Sequence, residues 1–361
     1  METPNRHGNC FEDFLPGQVF RHATPRTLTD GDSAVYTALT GSRVLSHSSE
    51  VAARQLGYAG RPLDDLLVFN IAFGKTVPDI SLNAVANLGY ADVRFLAPVF
   101  AGDTLSAEST VIGVKENAGG RSGVVYVLSA CRNQHGVPVL SWVRWVMVRK
   151  RDANVPSPVP LVPTLPSVVA PDQLVAKPSI HTADSLESWC EASGSRRLWG
   201  DFIAGQRIDH PCGMTVEEAD HMLATRLYQN NARVHFDAIH MRESATARRL
   251  VYGGHVISMC RALSHDGLEN VVSVLAINGG RHVAPTVAGD TLYACSQVLE
   301  RLTLPQREDV GALRLRLVGL KNVAPVDIDV LRDADGKQYH PAVVLDLDYT
   351  VAVPKGSPVG R

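Results

Sequence analysis

The sequence predicts an α+β chain made of two copies of one module, each a long buried helix wrapped by a curved antiparallel sheet. The first observation behind this is that the chain repeats itself. "DFLPGQ" at Asp13 returns as "DFIAGQ" at Asp201, Thr27 and Asp32 return as Thr215 and Asp220, and His47 falls on His235, all displaced by 188 residues. "RFLAPVFAGDTL" from Arg94 returns as "RHVAPTVAGDTL" from Arg281, displaced by 187, so the order of landmarks is kept with a drift of one residue. The second observation is a helix-length apolar stretch in each copy, and the third is strict alternation near the end of each copy.

Taken in chain order, the first module spans residues 9–152. "SSEVAARQLG" reads as a helix with a serine cap, an acid in its first turn and Gly57 as its stop. "PLDDLLVFNIAFG" from Pro62 places Leu63, Leu66, Leu67, Phe69, Ile71 and Phe73 on most sides of a helix, which must then be covered all round. Residues 153–197 form a linker, with seven prolines between 156 and 178 favouring an extended connection. The second module spans 198–355, and its apolar helix is "GGHVISMCRAL" from Gly253. In "VVLDLDYTV", Leu345, Leu347, Tyr349 and Val351 face one way, and Asp346, Asp348 and Thr350 the other. "GALRLRLV" sets Leu313, Leu315 and Leu317 against Arg314 and Arg316, so both segments read as half-buried antiparallel strands. A wrapped helix and a curved sheet, twice over, is the plan of a double hotdog.

Composition narrows the function classes. Of 361 residues 45% are hydrophobic and 20% charged, enough for real cores. Lys+Arg 35 against Asp+Glu 37 gives a formal net charge of -2, which offers no footprint for nucleic acid or an anionic membrane. Six scattered cysteines without a C-x-x-C pair suggest neither a zinc site nor a disulfide framework, and read as reduced thiols in a cytoplasmic protein. "METPNRHGNC" has no apolar core for a signal peptide, and no apolar run approaches the roughly 20 residues that span a bilayer. "FGKT" at Phe73 lacks the earlier glycine of a phosphate-binding loop, and no H-E-x-x-H or G-x-S-x-G occurs.

"APVFAGDTL" and "APTVAGDTL", each paired with a wrapped helix, resemble the family of MaoC-type dehydratases and R-specific enoyl-CoA hydratases. Within it, "FEDFLPGQVFRHATPRT", the stretch from Pro62 to Pro98 and "WVRWVMVRKRD" are similar to members acting on mesaconyl-CoA, from about Gly8 to Asp152 and more loosely beyond. The resemblance implies a lyase that reversibly adds water to mesaconyl-CoA to give a methylmalyl-CoA, without metal or redox cofactor, in a cytoplasmic homodimer.

Family members carry G-D-x-N-P-x-H on a loop beside the helix, because hydration needs one group to activate water and another to deliver a proton to carbon. Counting back from His235 puts Asn230 where the aspartate is expected; the same count from His47 reaches Ser42. Asparagine is no carboxylate base, though it holds water by donor and acceptor. The resemblance therefore implies His235 as acid/base with Asn230 orienting water, and Asp237 as an alternative source of the missing carboxylate. Arg233 is the candidate clamp for the substrate's free carboxylate. Gly253 and Gly254, at the start of the second wrapped helix, are candidate donors to the thioester oxygen. In the first module Asp64 and Asp65 stand in their place and would repel an enolate, so the reaction is assigned to the second module and His47 is left a structural role. Arg94 and Arg281 read as structural anchors. A hydratase of another enoyl-CoA, or a non-catalytic acyl-CoA-binding protein, fits the altered motifs as well.

Overall fold

The computed structural model describes residues 8–176, 182–305, 307–333, 335 and 337–356. The first half runs β1 (Val19–Arg21), β2 (Arg26–Thr27), α1 (Asp30–Thr40), α2 (Leu45–Ser48), α3 (Glu50–Gln55) and α4 (Asp65–Thr76), then β3 (Ala84–Phe95), β4 (Thr104–Glu116), β5 (Ser122–Arg132) and β6 (Pro138–Arg149). After α5 (Ala183–Ser193), the second half repeats the plan with β7 (Arg207–Thr215), α6 (Glu218–Leu227), α7 (Arg233–Phe236), α8 (Ala238–Met241) and α9 (Gly253–Leu263). It closes with β8 (Ser273–His282), β9 (Thr291–Thr303), β10 (Val310–Lys321) and β11 (Val343–Pro354).

The two half-sheets are one sheet, in the order β1-β4-β5-β6-β3-β8-β11-β10-β9-β7. They join where β3 lies antiparallel to β8, with Tyr90 opposite Gly280 and Val93 opposite Ile277. A Cβ at 280 would stand 2.7 Å from Leu347 Cδ1 and 3.3 Å from the Tyr90 ring, so a side chain there would have to turn the Leu347 side chain aside. The alternation read from β10 and β11 is realised. Leu313, Leu315, Leu317, Leu345, Leu347, Tyr349 and Val351 are buried, while Arg314 pairs with Asp348 at 2.6 Å and Arg316 with Asp346 at 2.8 Å on the other face.

The wrapped helices behave as their all-round apolarity requires. Every α4 residue from Leu66 to Thr76 is buried, and every α9 residue from Gly254 to Leu263. Where they meet, Asn70 of α4 donates to Ser258 Oγ at 2.9 Å and to the Gly254 carbonyl at 3.3 Å of α9, so the buried amide nitrogen is satisfied across the module boundary. Residues from both halves share one hydrophobic core. Ser49 caps α3 by accepting from Ala52 N, and Gly57 beyond its end takes φ 85, as the cap pattern requires.

The linker is more structured than its prolines suggest. Val169 is buried and donates its N–H to Asn278 Oδ1 at 2.9 Å, strapping this segment to the sheet. Ala183–Ser193 form α5, capped by Thr182 and anchored by the buried Trp189. Part of the stretch, 177–181, lies outside the described residues.

Candidate active site

One cavity of about 330 Å³ opens between the halves, against the start of α9 and the turn that precedes it. The turn begins after α6, where Gln229 takes φ 54, a left-handed conformation that costs a non-glycine residue about 1 kcal/mol. This reversal lets Asn230 N reach the Thr225 carbonyl at 3.1 Å and brings the Asn230 side chain, 3% exposed, to the cavity wall. Its Oδ1 accepts from Ala232 N at 3.0 Å; Nδ2 meets no acceptor among the described residues.

His235 lines the same wall from α7, half-buried, its ring edge-on to Tyr252 at 5.6 Å. Its Nδ1 donates to the Leu250 carbonyl at 2.9 Å, which fixes the neutral tautomer with the Nε2 lone pair free. Burial outweighs that hydrogen bond and pushes the imidazole down to about 4, so it is an acceptor at neutral pH. His282, at the end of β8, pairs through Nε2 with Tyr90 Oη at 3.1 Å, and burial with His235 nearby pushes it down to about 4. Gly253 opens α9 beneath His282: a Cβ there would stand 2.5 Å from the imidazole Cε1 and Nε2. No side chain caps α9, and the N–H groups of Gly253 and Gly254 meet no acceptor among the described residues. The positive end of the helix dipole and two free donors thus face this region.

Of the residues singled out in the sequence, the structure brings His235, Asn230 and Gly253 together around the cavity. Gly254 stands one residue behind, its Cβ position closed by Asn70 Oδ1 at 2.0 Å. Arg233 and Asp237 are not brought there. Arg233 is exposed. Asp237 is exposed and caps α8, its Oδ1 accepting from Ile239 N at 2.9 Å and His240 N at 3.0 Å, and those bonds hold its carboxyl below the usual range. The expectation is that Asp237 supplies the missing carboxylate and Arg233 clamps the substrate; neither is among the residues that line this cavity. Among the described residues no Asp or Glu lines the cavity. Sequence reasoning missed His282, Tyr90, Tyr252 and Arg144; the one visible signal was that His282 replaces Phe95 within the repeat.

The corresponding region of the first module is filled. His47 lies 3.6 Å from Asp64 and 3.7 Å from Asp65, with room beside them of only about 20 Å³. Asp64 accepts from Ser42 Oγ at 2.8 Å and caps α4 through Leu66 N at 2.9 Å; Asp65 accepts from Val274 N at 2.7 Å. Burial pushes Asp65 up to about 6, whereas for His47 the two carboxylates overcome burial and raise it. The cluster is a charged joint holding α4 against β8.

The buried and half-buried histidines predict acid lability. Burial pushes His210, His235 and His282 down to about 4 and His255 to about 3. The unfolded chain takes up these protons near pH 6.5, the folded chain only near 4. Stability is therefore full above 6.5 and lost as pH falls from there toward 4. His47 and Asp65 act in the opposite sense but are outnumbered. The melting temperature is expected to drop steadily between pH 6.5 and 4.5 in circular-dichroism melts; a flat profile over that range would contradict the assignment.

Two tandem wrapped helices on one shared sheet, with a histidine-lined cavity at the start of the second, define a double hotdog protein. The chain belongs to the MaoC-like family: residues 13–131 match the model of the MaoC-like domain. It is 53% identical to the β-methylmalyl-CoA dehydratase of Chloroflexus aurantiacus over 98% of this chain and 99% of that one. It is 51% identical to the mesaconyl-CoA hydratase of Cereibacter sphaeroides, over 96% and 98%. A solved MaoC domain protein of Chloroflexus aurantiacus superimposes with a TM-score of 0.94 at 52% identity, covering 99% of this chain and 100% of that one. A double hotdog protein of Mycobacterium tuberculosis shares the fold, with a TM-score of 0.74 at 24% identity over 96% and 99%.

Proposed function

We propose that this chain is a hydro-lyase that reversibly adds water to mesaconyl-CoA, giving β-methylmalyl-CoA. The reading is supported by identity above 50% along nearly the whole length of relatives so named. The observation that carries it is the pairing of a neutral histidine with an uncapped helix start around a cavity that no carboxylate among the described residues lines.

In this reading His235 Nε2 takes a proton from water held by Asn230 Nδ2 as the water oxygen bonds to the β-carbon. The double-bond electrons move to the thioester oxygen, which the N–H groups at the start of α9 stabilise. His235 then gives its proton to the α-carbon, returning neutral, and the net change is addition of one water. One C–O and one C–H bond form as the double bond is lost, with no net oxidation or reduction, so the proposed chemistry asks for no redox group. Among the described residues no helix is long and apolar enough to cross a membrane. A cytoplasmic homodimer is part of the proposal.

The test is the absorbance of the conjugated enoyl thioester when purified protein meets mesaconyl-CoA, with crotonyl-CoA alongside. Loss of absorbance with mesaconyl-CoA and formation of the hydroxy thioester are expected. Binding without turnover would sink the lyase reading and favour an acyl-CoA-binding protein.

A further inference from the structure

A buried cation without an acid stands in the wall of the cavity. Arg144, on β6 of the first half, is fully buried and yet lines the cavity that holds His235 in the second. Three half-buried arginines have carboxylates: Arg314 has Asp348, Arg316 has Asp346, Arg94 has Asp92; the buried Arg261 has none among the described residues, but it does not line this cavity. Arg144 has none within ion-pairing distance among the described residues. Its guanidinium lies 4.1 Å from the centre of the Phe73 ring and donates to Thr76 Oγ1 at 2.8 Å and Ser81 Oγ at 3.2 Å, which leaves its charge unneutralised. Its Nε–H is buried with no acceptor among the described residues.

The orphaned polar groups around it point the same way. Tyr252 Oη is buried without a partner, and so are both amide atoms of Asn87; both residues line the same cavity. Burying a charge and several donors unpaired is strongly unfavourable unless something else meets them. With no Asp or Glu among the described residues of the wall, that missing group is an anion brought from outside, and a planar guanidinium suits a carboxylate. Burial, partly offset by Tyr252 and Tyr90, lowers the Arg144 guanidinium to about 10, still charged at neutral pH.

We propose that Arg144 binds the free carboxylate of the acyl group, so that the first half of the chain selects dicarboxylic thioesters for chemistry carried out by the second. This rests on the hydratase reading above. It also accounts for the missing motif aspartate: a carboxylate at position 230 would stand in the same small cavity as the substrate's own, and asparagine avoids that repulsion.

The test separates binding from turnover by using two saturated thioesters that cannot be hydrated. Methylsuccinyl-CoA keeps the free carboxylate; 2-methylbutyryl-CoA has a methyl group in its place. Calorimetry on the intact protein gives the ratio of their dissociation constants. The wild type is expected to prefer methylsuccinyl-CoA, and Arg144→Gln to reduce that preference by at least about 30-fold while binding 2-methylbutyryl-CoA as before. Equal weakening of both ligands, or an unchanged ratio, overturns the assignment. Should Arg144→Gln fail to fold, Arg144→Lys decides. It keeps the charge but loses the Nε–H and the fork, so the ratio is expected to fall at least about three-fold, and an unchanged ratio again overturns the assignment. A wild type that shows the preference but never hydrates mesaconyl-CoA overturns the hydratase reading and leaves the carboxylate site standing.

Discussion

Replacing His235 by alanine is expected to lower kcat/KM for hydration of mesaconyl-CoA by about 10²–10⁴-fold, the range typical of a lost acid/base group. The fold should survive, because the half-buried ring makes one side-chain hydrogen bond, to the Leu250 carbonyl, and one aromatic contact, to Tyr252. His235→Gln restores a donor of similar reach without a titrating nitrogen and should be nearly as inactive, which separates a proton-transfer role from a positioning one. The pH profile supplies a second signature. A base held at about 4 is in its working form throughout the neutral range, so the acid limb of kcat/KM belongs near pH 4 and the profile should be level from 5.5 to 7.5. An ordinary limb near 6.5, or an alanine variant within ten-fold of wild type, would remove His235 from the mechanism.

Gly74→Ala is expected to destabilise the protein by about 3 kcal/mol, the upper end of ordinary overpacking, and to cost activity besides. Glycine inside a helix is about 1 kcal/mol worse than alanine, so its presence in the middle of α4 calls for a reason. The reason is the backbone that crosses it: a Cβ at position 74 would stand 1.9 Å from the Tyr228 carbonyl oxygen, 3.0 Å from its carbon and 3.4 Å from Asn230 N. A carbonyl on a tight turn cannot rotate away as a side chain does, so the turn must move, and it carries Asn230. A displacement of about 1 Å there is enough for a further loss of about 100-fold in rate. Gly119→Ala is the control, since a Cβ at that position meets nothing within 4 Å. Equal melting temperatures and activities for the two variants would show that α4 and the turn are looser than their contact implies.

Much of the fold was legible because the repeat and the alternation are properties of the chain alone. Two copies of the AGDTL turn order the halves, and Leu345 to Val351 declare their faces residue by residue. The site was legible only where it follows a landmark, as His235, Asn230 and Gly253 do. Arg233 and Asp237 look like partners of His235 on paper. Around a helical turn, however, residues two apart point to nearly opposite sides, and Asp237 is occupied in starting the next turn. Arg144 was invisible for the converse reason. It lies 91 residues from His235 in sequence, and in "WVRWVMV" its neighbours Val143 and Trp145 blur the alternation that would have shown an inward arginine. Only the pairing of the halves brings it to the cavity, and its significance comes from what is missing around it, which no sequence pattern states.

The junction of β3 with β8 settles what either half would be on its own. Residues 90–94 of one and 276–280 of the other pair on one edge within their own half, with β6 and β11, and on the other edge only across that seam. Cut apart in the linker, each half would carry a bare strand in the middle of its apolar surface, the kind of edge that recruits any neighbouring chain and starts an aggregate. The first copy therefore serves as more than a wall for the cavity: it is the permanent cover that keeps its sibling's open edge from finding strangers.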